Sequence, residues 1–180
     1  MIVEGKLRED VNLLDMQQKH RLFIVSTSLV ARLKRDVKLA VFDLDSTLIF
    51  QETIDELAKF AGAYEQVQQI TKDAMDGKWD FSESLRMRVA ALKGINAEDA
   101  WKKVLSSYQY TEGAKNLLSC LKRKGIVTGI VSGGFIEMVR GVADDLGADV
   151  WSANELEVDD NGCFTGRVVG SIVDAKAKEA

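Results

Sequence analysis

Asp43 and Asp45 stand one residue apart at the end of the apolar run Leu39 to Phe42, and Ser46 and Thr47 follow at once. Side chains two apart in an extended segment face the same side, so this spacing aims both carboxylates at one place. One carboxylate can attack an electrophile while the other moves a proton. Two like charges held together need a cation, and a set of oxygen ligands suits a hard divalent ion such as Mg2+. The competing reading is an acidic N-cap cluster ahead of a helix. Because the chain has 28 acidic residues among 180, the spacing alone means little. Its position gives it weight, because ligands in open α/β sheets bind beyond the carboxyl ends of strands.

A second constellation is Ser132-Gly133-Gly134, between the apolar run Ile126 to Val131 and a helical pattern. Small residues at such a turn let backbone N–H groups and a hydroxyl approach a phosphate at a helix N-terminus. An ordinary strand-to-helix turn reads the same way.

The elements that must position these groups follow from periodicity. Leu7, Val11 and Leu14 have helical spacing, residues 22–25 suit a short strand, and 28–35 suit a helix. After the strand at 38–42, the pattern from Gln51 to Tyr110 is helical throughout. Gly62 and Gly77 stop the first two helices, Asp80 with Glu83 reads as a capping box for the third, and Asn96 opens the fourth. A helix stopping at Gly125, a strand at 126–131, a helix from Ile136 to Leu146 and a short strand at Val150-Trp151 restore the α/β rhythm. Residues 155–169 read as a hairpin turning at Asp159-Asp160-Asn161-Gly162. The expected organisation is therefore an N-terminal segment 1–35, an α/β core of 36–50 and 111–180, and a helical cap, 51–110, inserted in the core.

Bulk composition narrows the function. A net charge of −4 and a pI near 5.2 argue against an electrostatic nucleic-acid binder. No apolar run is long enough to span a bilayer, and the N-terminus shows no signal-peptide pattern. Cys120 and Cys163 lack metal-site spacing, which suggests reduced thiols and a cytoplasmic location. His20 is the single histidine and has no cysteine or histidine cluster near it. There is no proline, so turns rest on glycine, asparagine and aspartate.

FDLDSTLI, EGAKNLLSCLKRKG, the strand ending VSGGF, SANELEVDDNGCFTG, and the helical stretch from ETIDELAKFAG to LRMRVAALKG together resemble the phosphoserine phosphatases of the haloacid dehalogenase superfamily. The resemblance runs from about Lys38 to the C-terminus. It implies a Rossmann-like three-layer α/β fold with a parallel sheet and an inserted helical cap. It also implies Mg2+-dependent hydrolysis of O-phospho-L-serine to serine and phosphate, the last step of serine biosynthesis. Under it, Asp43 is the nucleophile that becomes an aspartyl phosphate, and Asp45 is the general acid and then the general base. Both ligate Mg2+, Asp43 by its carboxylate and Asp45 by its backbone carbonyl. Ser132 and Gly133 bind the phosphate, and Lys178 pairs with it and with the nucleophile, with Lys176 as the neighbouring alternative. Glu52 grips the substrate ammonium and Arg88 its carboxylate, a task a bidentate guanidinium suits. Met75 and Phe81 close the pocket. The partner is a small phosphomonoester, with no nucleic acid or membrane, and a homodimer is allowed.

The chain ends at Ala180, before the GDGxxD-type motif and the last core strands that the family carries. The expectation is a C-terminally incomplete form of a longer enzyme. Two alternatives stay open: an inactive or phosphoserine-binding form lacking the second metal aspartate, and a superfamily phosphatase with another small substrate. The run Leu39 to Phe42 is composed like a strand buried on both faces. The family's missing strand would lie beside it, and residues 22–25 are an alternative neighbour.

Overall fold

The computed structural model describes residues 37–174. The expectations for the segment 1–35, for the strand at 22–25, for His20, and for Lys176 and Lys178 lie outside the described residues. The described residues from Ala40 onward belong to one compact unit.

Among the described residues a four-stranded sheet runs in the order β1 (Leu39–Phe42), β2 (Val127–Phe135), β3 (Val150–Val158), β4 (Phe164–Val169). β2 and β3 are parallel, with Ile130 opposite Trp151 and Phe135 opposite Asn154. β3 and β4 form the antiparallel hairpin expected from the turn at Asp159 to Gly162. The strand expected at 126–131 is longer than its periodicity suggests. β2 continues through Ser132-Gly133-Gly134 to Phe135, with an irregularity in register between Val131 and Phe135. Glycine and serine carry little strand propensity, so the sequence hides this extension. The short strand expected at Val150-Trp151 likewise runs on unbroken into the hairpin.

Four helices follow β1: α1 (Thr53–Phe60), α2 (Tyr64–Met75), α3 (Phe81–Ala90) and α4 (Ala97–Leu105). The capping box of α3 is complete. Asp80 accepts the Glu83 N–H, and Glu83 accepts the Asp80 N–H. Asn96 caps α4 by accepting the Asp99 N–H. Two further helices, α5 (Ala114–Arg123) and α6 (Ile136–Leu146), flank β2.

The helical block enters and leaves through paired strands of chain. Ile49 bridges Tyr110 in antiparallel fashion, Phe50 N–H donates to Gln109 O (3.0 Å) and Thr111 N–H to Leu48 O (2.9 Å). Tyr110 then donates its hydroxyl to Asp145 on α6 (2.7 Å), which Lys115 of α5 also holds (2.8 Å). On its far side the block is stitched to the hairpin. Gly94 N–H donates to Phe164 O (2.8 Å) and Phe164 N–H to Ile95 O (2.9 Å). The buried Trp101 of α4 meets Phe135 and Phe164 edge-on, with ring centroids 6.1 and 6.2 Å away. Such aromatic contacts add to the burial of apolar area. Phe135, the residue after the two glycines, is thereby anchored in the core.

The strand expected to be buried on both faces is buried on one. Leu39 and Val41 are 53% and 52% exposed, while Ala40 and Phe42 turn inward. β1 ends the sheet order, so among the described elements nothing covers that face.

Candidate active site

β1 delivers Asp43 to the carboxyl edge of the sheet, and the next residues turn sharply there. Leu44 is fully buried, and its carbonyl accepts the N–H groups of Thr47, Leu48 and Ile49. Ser46 has φ +52°, a left-handed conformation uncommon outside glycine and worth reading as functional when it lies beside carboxylates. The turn lets Ser46 donate its hydroxyl to Glu52 Oε1 (2.7 Å). Glu52 stands at the N-cap position of α1 yet makes no side-chain cap bond, so its carboxylate is directed to the loop and not to its own helix.

Asp45 is the most constrained group in this region. Its Oδ1 accepts both the backbone N–H of Thr53 (2.9 Å) and the Thr53 hydroxyl. Its Oδ2 lies against Gly134, where a β-carbon would come within 2.3 Å of it. Only glycine admits this approach, and the second glycine of the turn at the end of β2 is thereby explained. Burial pushes the Asp45 carboxyl up to about 6, and the charges of Glu52 and Asp43 add to the rise, while the two Thr53 hydrogen bonds oppose it. Asp43 accepts the Leu44 N–H at Oδ1 (2.9 Å).

Across from these carboxylates the chain from Ser132 to Gly134 curls on itself. Ser132 is buried, and its Oγ accepts the Gly134 N–H (2.9 Å). Gly133 is covered from the helical block by Phe81, whose ring edge would lie 2.9 Å from a β-carbon at that position. Asn154 of β3 donates to Gly133 O (2.8 Å).

Arg88 lies two turns along α3 from Phe81 and donates Nε–H to Ser84 O (3.3 Å). Burial weakens its hold on its proton, and the charges of Asp55 and Glu52 offset that cost. Met75 is placed differently. It ends α2 at 81% exposure, so the described structure does not draw it into the cluster. Asp43, Asp45, Glu52, Phe81, Ser132 and Gly133 gather around the turn, with Arg88 on the same helix as Phe81. Among the described residues, no cluster of three or more histidine, cysteine or acidic side chains has the arrangement of a metal site.

A family model described as haloacid dehalogenase-like hydrolase matches residues 40–180. The chain belongs to that family. Its relatives within the haloacid dehalogenase-like hydrolases include phosphoserine phosphatases. A phosphoserine phosphatase of Saccharomyces cerevisiae is 43% identical over 141 residues, covering 78% of this chain and 46% of the yeast protein. A phosphoserine phosphatase of Methanocaldococcus jannaschii is 44% identical over 146 residues, covering 81% of this chain and 68% of the archaeal one. A solved phosphoserine phosphatase, captured as a phospho-aspartyl intermediate analogue, matches with a TM-score of 0.72 at 44% identity, over 80% of this chain and 68% of that one. A substrate-bound phosphoserine phosphatase matches with a TM-score of 0.73 at 43% identity, over 81% of this chain and 68% of that one. The expected α/β fold is borne out by these matches. The chain spans about half the length of the yeast relatives, 46% and 47%.

Thr53 and Asn154 join this cluster and were not singled out by sequence reasoning, whereas Ser46 was noted beside the two aspartates. Thr53 opens a helix and Asn154 sits in a strand, and each has an ordinary structural reading there. One signal was available for Asn154: a polar residue at an inward position of a strand must find partners.

Proposed function

We propose that this chain carries the catalytic part of a phosphoserine phosphatase, hydrolysing O-phospho-L-serine to L-serine and phosphate through an aspartyl phosphate. The observation that carries this reading is the packing of Asp45 Oδ2 against Gly134, which sets the carboxylate pair beside the turn from Ser132 to Gly134. A phosphoryl group seated on that turn has a nucleophile and a proton donor on one side of it. The 43% and 44% identity to phosphoserine phosphatases over 78% and 81% of the chain supports the choice of substrate.

In the first half-reaction a carboxylate oxygen of Asp43 forms a bond to phosphorus. The bond from phosphorus to the serine oxygen breaks, and Asp45 gives its proton to that oxygen. In the second, Asp45 takes a proton from water, the water oxygen bonds to phosphorus, and the acyl phosphate bond to Asp43 breaks. A carboxyl held near 6 can carry out both transfers at neutral pH. The Ser132 hydroxyl and the Gly133 backbone hold the phosphoryl oxygens. Glu52 takes the substrate ammonium, Arg88 its carboxylate, and Phe81 excludes water above Gly133. Lys178, beyond the described residues, supplies positive charge in this reading.

The acidic pair fits a hard cation. Burial raises the Asp45 carboxyl, the charges of Glu52 and Asp43 add to it, and a divalent ion beside them would relieve that crowding of like charge. Asp43 and the backbone carbonyl of Asp45 would hold Mg2+, which supplies charge withdrawal from the phosphoryl oxygens. The same reading divides the unit into a core of 36–50 and 111–180 and a cap of 51–110, after the N-terminal segment 1–35. It places the activity in the cytoplasm, at the last step of serine biosynthesis.

The test is phosphate release from O-phospho-L-serine with Mg2+. The wild-type chain should turn over, and Asp43→Asn should lose turnover together with the acid-stable label that a labelled phosphoryl group leaves on the protein. Glu52→Gln and Arg88→Ala should weaken phosphoserine far more than an aryl phosphate. Equal losses on both would assign a different small substrate. Binding of phosphoserine without turnover would replace the enzyme with a binding module.

A further inference from the structure

We infer that Asn154 is a positioning residue that sets the phosphate turn through the Gly133–Gly134 peptide, an inference that rests on the phosphatase reading. Asn154 is 1% exposed on β3, opposite Phe135. Its Nδ2 donates to Gly133 O (2.8 Å), and its Oδ1 accepts the Val173 N–H (2.7 Å). One side chain therefore ties the end of β2 to a segment nineteen residues downstream of Asn154 itself.

The consequence follows from the planarity of the peptide. A trans peptide points its carbonyl and the next N–H in opposite directions. With the Gly133 carbonyl held by Asn154, the Gly134 N–H must point away from β3, and it does so, donating to Ser132 Oγ (2.9 Å). Once that oxygen accepts a hydrogen bond, its own O–H is left to donate elsewhere. Asn154 thus fixes, through one peptide unit, both the shape of the turn and the direction in which the Ser132 hydroxyl gives its proton to a phosphoryl oxygen. Its second arm holds Val173 beside the same turn, where the Val173 carbonyl lies 3.7 Å from the β-carbon position of Gly133.

The test uses the full chain and separates positioning from folding. Asn154→Asp keeps the acceptor for Val173, removes the donor to Gly133 and sets a carboxylate against that carbonyl. It should lower kcat about 10- to 100-fold, in line with the cost of a misplaced reacting group. Affinity for inorganic phosphate should fall with it. The loss should be equal on phosphoserine and on an aryl phosphate, because both present the same phosphoryl group. In a double-mutant cycle with Ser132→Ala the two losses should fall short of adding, since both act on one hydroxyl. Wild-type kcat and phosphate affinity in Asn154→Asp would overturn the inference, whatever happens to the melting temperature, as would full additivity with Ser132→Ala. If Asn154→Asp does not fold, Asn154→Ser, neutral and with a shorter donor, is judged by the same criteria. A wild-type chain that binds inorganic phosphate but releases none from any ester would sink the proposed reaction, and the phosphate titration of the variants would still decide the role of Asn154. A wild-type chain that binds no phosphate would overturn the inference.

Discussion

Asp45 holds its proton to about 6 because it is buried beside Glu52 and Asp43, against an ordinary value of 3.8. The sign of the resulting pH dependence follows from linkage. Between those two values the folded chain binds a proton that the unfolded chain has released, so stability falls as pH rises through this window and stays low above it. A shift of this size, trimmed for partial solvent contact, is worth ~2 kcal/mol. Asp45→Asn, which keeps an acceptor for Thr53, should match the wild type near pH 4 and melt higher than it near pH 7, in chelator-treated buffer. Mg2+ should then raise both, since the Asp43 carboxylate and the Asp45 backbone carbonyl are intact in the variant, and should narrow the gap between them by offsetting the buried Asp45 charge. A gap that is the same at both pH values would show that burial of Asp45 is not the cause. Thr53 works in the other direction, since its two hydrogen bonds hold the carboxyl down. Thr53→Val should push the Asp45 titration further up, read as a higher acid limb in the pH profile of phosphate release.

Helix α3 carries Phe81 at its start and Arg88 in its last turn, and its capping box decides where that start lies. Asp80→Ala removes the acceptor for the Glu83 N–H and should cost about 1 kcal/mol. The loss should appear as faster amide exchange in α3 and a higher KM for phosphoserine, with the aryl phosphate spared. Unchanged exchange in α3 would mean that packing against the rest of the block, not the cap, sets its N-terminus. This element was legible because a capping box is written in residues three apart, and so were the glycine stops after α1 and α2. The sheet was legible only in part. Val127 to Val131 announces itself by composition, but Ser132-Gly133-Gly134 reads as a turn, and β2 extends past it because pairing with β3 resumes at Phe135 opposite Asn154, beyond an irregularity in register. The site shows the same division. Asp43 and Asp45 were visible because two carboxylates at the end of an apolar strand have few other uses. Thr53 and Asn154 were not, since their roles depend on which loop folds over them, and that is a long-range property. Glu52 lay between these cases, because a glutamate at an N-cap position reads as solvated until Ser46 is seen donating to it.

At the scale of the whole molecule, the sheet leaves one apolar face open among the described residues. Val41 of β1 and Val150 of β3 both lean over Gly129 of β2, within 3.4 and 3.1 Å of its β-carbon position, so three strands contribute to one stripe. Leu39 and Val150 are each 53% exposed. An uncovered apolar stripe on a terminal strand is a template for association. The net charge of −4 is small for a chain of 180 residues and offers little repulsion against it. The chain as given should therefore self-associate with rising concentration in sedimentation velocity runs. Val41→Lys with Val150→Lys should keep it monomeric over the same range, because lysines at these positions stay solvated and repel their copies. Both side chains meet over Gly129, three residues before Ser132, and are directed to the open face, so phosphate binding should survive in the double variant. A wild-type chain that stays monomeric at all concentrations would show that the stripe is covered in solution, and the lysines should then lower the melting temperature by burying charge. Association that persists in the double variant would place the contact elsewhere.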